Sequence, residues 1–140
     1  MTRGIRNCNP LNIRYSPYND WLGKVKGDGV FERFESIRFG IRAWCRLIRN
    51  YVRLHHCSTI RAIVNRFAPP VENDTLNYVR FVEKSVGSIA VCPTDRNFMF
   101  KLCTAMWFIE NGYYPTSSQY LEIEEGIQMY LKEVFSCEVD

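Results

Sequence analysis

The sequence predicts a mainly helical α+β fold, with about five helices and one small β-hairpin. Three observations carry this. Apolar residues recur at helical spacing through most of the chain after Ser36. The stretch before it is rich in Asn, Pro, Gly and aromatics and has no helical period. Within that stretch, Lys24-Val-Lys-Gly-Asp-Gly-Val-Phe-Glu-Arg-Phe34 alternates around a Gly-Asp-Gly turn, the pattern of a hairpin. At 140 residues the chain fits one core, so residues 1–140 are read as a single domain.

Residues 1–35 therefore read as a loop followed by the hairpin. From Ser36, a plausible N-cap, the apolar positions Ile37, Ile41, Trp44, Cys45, Ile48, Tyr51 and Val52 form one helical face. Arg38, Arg42, Arg46, Arg49 and Arg53 occupy the remaining surface of that helix. A shorter helix runs from about Ser58 to Phe67 and stops at Pro69-Pro70. Asn73 or Asp74 caps the next helix, which carries Val79, Val82 and Val86 and ends at Gly87. Asp95 caps a very apolar helix containing Phe98, Met99, Leu102, Cys103, Met106 and Ile109, closed by Gly112. Thr116 with Gln119 makes a capping box for a last helix with Ile123, Ile127, Tyr130, Leu131 and Val134 inward.

Net charge is +3, but it is unevenly divided. Residues 1–66 hold 13 Lys and Arg against 4 Asp and Glu, whereas residues 67–140 hold 5 against 11. The two halves should attract each other, and the basic half also suits an anionic polymer, either nucleic acid or a carboxylate-bearing cell-wall glycan. No apolar run approaches a membrane span or a secretory signal. The expected location is the cytoplasm as synthesised, with export by another system or carriage in a virion as the routes out. Six cysteines lack any Cys-x-x-Cys or His-paired spacing, so they read as reduced thiols, with no metal site and no cofactor expected.

Glu110 is the first candidate for chemistry. It ends the most apolar helix, between Ala105-Met-Trp-Phe-Ile109 and Asn111-Gly112-Tyr113-Tyr114-Pro115. Aromatic neighbours and the negative end of the helix dipole both disfavour its ionised form, which suits a general acid. The plainer alternative is a carboxylate pointing into water at a frayed helix end. The opening segment Arg3-Gly-Ile-Arg-Asn-Cys-Asn-Pro-Leu-Asn-Ile-Arg14 offers amides and guanidinium groups on a Pro-fixed loop, suited to sugar hydroxyls, acetamido groups or phosphates. Phe67-Ala-Pro-Pro-Val-Glu-Asn-Asp-Thr-Leu-Asn-Tyr78 crowds Glu72, Asn73, Asp74 and Thr75 into a loop entering a helix, as caps or as a substrate wall. Trp21 stacks on a sugar or fills the core around the hairpin.

Several of these segments, taken in order, resemble a family of small phage and prophage proteins commonly labelled virion structural proteins. They are Gly4–Arg14, Trp21 with Gly23, Phe31–Ser36 with Gly40–Ala43, Ala68–Thr75 with Tyr78, and Glu110-Asn-Gly112. The sequence departs from that pattern at Cys8, where Asn is expected, and at Phe67, where Trp is expected. Met106–Gly112 is also similar to the helix-ending Glu of lytic transglycosylases. Asn7–Arg14 with Trp21 and Gly23 is similar to a loop of N-acetylglucosaminidases in the lysozyme superfamily, and Ala68-Pro-Pro through Tyr78 resembles a later transglycosylase segment. The order here is circularly permuted.

This second resemblance implies a lysozyme-like domain that cleaves peptidoglycan. Glu110 is then the acid, Glu35 and Glu72 are the candidates for a second carboxylate, and Asn9, Asn12, Arg14, Trp21, Asn73, Thr75 and Tyr78 line the saccharide cleft. Two-carboxylate hydrolysis needs the second group about 5 to 9.5 Å away, whereas a transglycosylase proceeds with one acid and an assisting acetamido group. The partners implied are peptidoglycan glycan strands and other virion proteins. Two alternatives remain open: a non-catalytic virion protein of lysozyme-like shape, and, less favoured, a nucleic-acid binder acting through the Arg stripe.

Overall fold

The computed structural model describes residues 1–69, 74–87 and 90–139. Its elements are α1 (Arg3–Arg6), β1 (Lys24–Val25), β2 (Arg33–Phe34), α2 (Ile37–His55), α3 (Ile60–Phe67), α4 (Thr75–Val86), α5 (Arg96–Asn111) and α6 (Ser117–Val139). The mainly helical α+β class follows from the sequence, with one helix more than expected. That helix, α1, spans barely one turn, too short to leave a periodic signal. The side chain of Thr2 caps it by accepting from the Ile5 N–H at 3.3 Å.

The hairpin lies where the alternation places it, with Lys24 opposite Phe34 and Val25 opposite Arg33 in an antiparallel pair. It is shorter and its connection longer than a tight Gly-Asp-Gly turn would make it. Asp28 Oδ1 accepts from the N–H groups of Val30 and Phe31 at 2.8 and 3.0 Å, so the aspartate side chain organises the connection. Phe31 then bridges to Arg14, joining the amino-terminal loop to the hairpin.

Several helix ends follow their capping residues, but Asp74 at the start of α4 makes no side-chain cap and its Oδ2 accepts from Asn77 Nδ2 instead. Thr59 and Asp95 each accept from the N–H three residues on, at 3.1 and 2.9 Å. Thr116 and Gln119 bond reciprocally, completing the capping box. Gly112 closes α5 at φ 81°. Ser36 precedes α2 in extended backbone but makes no side-chain cap. Instead Glu122 of α6 accepts from the Arg38 N–H at 2.9 Å, capping α2 from another helix.

That exchange reflects how α2 and α6 pack, the most extensive pairing of elements in the fold. Ile41, Trp44 and Ile48 of α2 and Ile123, Ile127 and Tyr130 of α6 are fully buried. The helices approach so closely at Gly126 that a Cβ there would lie 2.6 Å from the Arg38 carbonyl oxygen and 2.6 Å from Ile41 Cβ. Alongside this contact, Arg38 forms a fork with Glu122, both bonds 3.0 Å, and reaches Glu125 at 2.7 Å. Arg42 and Arg46 share Glu133, at 2.6 and 3.0 Å. The basic and acidic halves of the chain thus meet across one helix pair. Cys45 and Cys103 are buried, as their helix faces predict. Among the described residues, no helix is long and apolar enough to cross a membrane.

Gly126→Val places a branched side chain against backbone that cannot yield. Urea denaturation is expected to show a loss of about 1 to 3 kcal/mol, as for other overpacked cores. An unchanged midpoint would mean that α2 and α6 are not pressed together at this point.

Candidate active site

The site begins with three asparagines, each with a separate task. Asn9 is buried; its Oδ1 accepts from the Ile13 N–H at 3.0 Å, and its Nδ2 donates to the carbonyls of Ile13 and Glu32, both at 2.9 Å. It therefore fixes the shape of the loop and joins it to the hairpin. Asn111, in the last turn of α5, donates to the Pro10 carbonyl at 2.8 Å and the Trp107 carbonyl at 3.1 Å, and its Oδ1 accepts from the Thr2 hydroxyl at 2.7 Å. That residue clamps the loop to the helix end preceding Gly112.

Asn12 sits at the tip of the clamped loop at φ 55°, a left-handed conformation that Asn tolerates better than most residues. α1 passes so close that a Cβ on Gly4 would stand 2.8 Å from Asn12 Oδ1 and 2.9 Å from the Asn9 carbonyl. Placed this way, Asn12 Nδ2 donates to Glu110 Oε1 at 2.8 Å. From the opposite side, Tyr78 of α4 donates its hydroxyl to Glu110 Oε2 at 3.0 Å. Both carboxyl oxygens thus have a fixed partner.

Glu110 faces a groove of about 410 Å³, shared with Asn12, Arg14, Asn19, Trp21 and Phe31 on one side and Tyr51, Arg66, Phe67, Ala68 and Pro69 among the others. Burial raises the Glu110 carboxyl above its usual range, against the opposing pull of the Asn12 and Tyr78 hydrogen bonds. Burial also raises the Tyr78 hydroxyl strongly, with the nearby Glu110 adding to the effect, so Tyr78 keeps its proton and acts as donor. A carboxyl whose hold on its proton is raised by burial, at the wall of an aromatic and amide-lined groove, is better matched to protonating a leaving oxygen than an ordinary one.

The structure therefore brings together Glu110, Asn12, Arg14, Trp21 and Tyr78 from the sequence-derived set. Asn9 supports the loop from inside rather than lining the groove. Thr75 is buried and donates to the Ala68 carbonyl at 2.7 Å, bracing the wall formed by Ala68. Glu35 is exposed after β2 and does not line the groove. Glu72 and Asn73 lie outside the described residues. Phe67 lines the groove, and Cys8 sits at φ 52°, a left-handed conformation that Asn adopts more readily than Cys.

Sequence reasoning missed Asn19, Tyr51 and Arg66 as groove residues. Tyr51 reads as one more apolar position of α2 and Arg66 as one more surface charge of α3; only the crossing of those helices brings them to the groove. It also missed Glu32, a buried carboxylate whose Oε2 accepts from Lys24 Nζ at 3.2 Å and from the Ser16 N–H at 3.3 Å. Its Oε1 lies 3.1 Å from the same Nζ but outside hydrogen-bonding geometry. Alternation along the hairpin, read strictly, places Glu32 beside Lys24 on one face.

No family model matches the sequence. The chain is 35% identical over 130 residues to Protein P5 of Pseudoalteromonas phage PM2, an alignment covering 90% of this chain and 80% of that protein.

Carbon-13 NMR of the Glu110 carboxyl is expected to give a midpoint above the ordinary 4.5. Tyr78→Phe should move it higher, since the lost donor favours the charged form; a fall would contradict the arrangement. Stability carries the same sign. A carboxyl raised in the folded state favours folding fully below its unfolded value and loses that contribution as pH rises through its folded value. Relative to Glu110→Gln, the wild type should therefore lose stability over that rising window, measured by urea unfolding across pH.

Proposed function

The chain belongs to the family of phage PM2 protein P5, and from the geometry around Glu110 we propose that it is a peptidoglycan-cleaving glycosidase of lysozyme or lytic transglycosylase type, with Glu110 as general acid. The observation that carries this reading is the Glu110 carboxyl, half-buried at a groove wall with its hold on the proton raised and both oxygens oriented by Asn12 and Tyr78. A glycan strand in the groove would lie against Trp21, with Asn12 and Arg14 offering donors to hydroxyl and acetamido oxygens. Glu110 gives its proton to the glycosidic oxygen as the C1–O bond breaks. Positive charge developing at C1 is then met by a second carboxylate, by water, or by the sugar's own acetamido or hydroxyl oxygen.

The phage relative favours a second reading, in which the protein is a non-catalytic virion structural or interaction protein whose neighbours are other virion proteins. Binding to nucleic acid loses support, because Arg38, Arg42 and Arg46 of the Arg stripe are engaged by the acidic side chains of α6.

Purified peptidoglycan treated with wild type should yield muropeptides by mass spectrometry, and Glu110→Gln should lower the rate by about 10²- to 10⁴-fold, the usual contribution of general acid catalysis. Anhydro-sugar ends identify transglycosylation and reducing ends identify hydrolysis. In the hydrolytic case, Glu72→Gln is expected to abolish activity as well. No product from folded wild type would favour the non-catalytic virion protein.

A further inference from the structure

The charge of the groove carries information that the acid alone does not. Its described lining carries three ionisable side chains, the acid Glu110 and two cations, Arg14 and Arg66. Arg66 is exposed at the end of α3, and two groups from the last turns of α2 hold it in place. Its guanidinium lies 5.3 Å from the centre of the Tyr51 ring, and its NH2 is 3.1 Å from His55 Nε2. Arginine only donates, so His55 Nε2 is the acceptor at this contact. Among the described residues no carboxylate pairs with Arg66, unlike Arg38, Arg42 and Arg46, which all have acidic partners in α6.

A guanidinium held by a ring face and an imidazole beside a groove, with no carboxylate partner among the described residues, has the form of an anion-reading position. We infer that Arg66, positioned by Tyr51 and His55, makes the groove selective for a carboxylate-bearing glycan over a neutral one of the same length. This rests on the groove being a glycan site. The carboxylate has two sources in a cell-wall polymer, the lactyl group of a muramyl sugar without peptide and the stem peptide of one that carries it. In the second, the lactyl carboxyl is consumed in an amide, so the two are separable by experiment.

The test is binding to the Glu110→Gln protein, so that cleavage does not intervene, followed by calorimetry or by Trp fluorescence. Three tetrasaccharide probes are used: alternating N-acetylglucosamine and N-acetylmuramic acid without peptide, the same glycan with stem peptides, and neutral chitotetraose. At least one acidic probe is expected to bind roughly tenfold more tightly than chitotetraose, the scale of one charge-assisted hydrogen bond. The advantage should shrink with added salt. Adding Arg66→Gln should remove that advantage while leaving chitotetraose affinity within about twofold, and Arg66→Lys, which keeps the charge, should restore part of it.

Equal binding of all three probes, or an acidic preference unchanged by Arg66→Gln, overturns the inference. So does a loss of all three in a folded Arg66→Gln protein, which would make the residue structural. Failure of every probe to bind before Arg66 is altered would instead remove the glycan reading of the groove, and this inference with it.

Discussion

Asn111 holds the site together. Its carboxamide joins the last turn of α5 to the Pro10 carbonyl and the Thr2 hydroxyl, so the segment carrying Asn12 and the helix end carrying Glu110 behave as one unit. A carboxyl in the final turn of a helix is ordinarily free to swing into water. Here the loop tip closes one oxygen and Tyr78 the other. Asn9 fixes the same loop to the hairpin through the Glu32 carbonyl. The strands therefore contribute to function indirectly, by holding the wall on which Arg14, Trp21 and Phe31 face the groove.

The second organising feature is electrostatic and lies elsewhere. α2 and α6 are joined by a close approach at Gly126 and by arginines that reach glutamates across the contact. Partly exposed pairs of this kind contribute little individually. Arg42 is better sheltered and binds both oxygens of Glu133, which fixes geometry as well as charge. The same pairing occupies Arg38, Arg42 and Arg46 of the Arg stripe, while two other arginines, Arg14 and Arg66, line the groove. There, Arg66 is held by the Tyr51 ring and the His55 imidazole, and no acid pairs with it among the described residues.

Much of the fold was legible because its signals are local. Thr59, Asp95 and the Thr116–Gln119 pair cap the helices they precede, and the apolar faces of α2, α5 and α6 are buried as their periods require. α1 was not legible, since four residues carry no period. Ser36 shows the limit of capping rules: the residue type and position are right, but a glutamate from α6 takes the N–H, an event no local window contains. At the site, Glu110 was recognisable from its apolar setting and helix end. Its pairing with Asn12 and Tyr78 joins residues far apart in sequence, which no local window groups. Arg66 and Tyr51 gave no signal, because their shared position depends on how α2 and α3 cross.

The central claim is that Glu110 is placed to protonate a glycosidic oxygen in the groove beside Trp21. The most direct measurement is a crystal structure of Glu110→Gln with an alternating N-acetylglucosamine and N-acetylmuramic acid oligosaccharide. The account predicts a glycosidic oxygen within about 2.6 to 3.2 Å of the substituted side chain and a sugar ring against Trp21. An oligosaccharide bound elsewhere, or one turning only hydroxyls toward position 110, would contradict it.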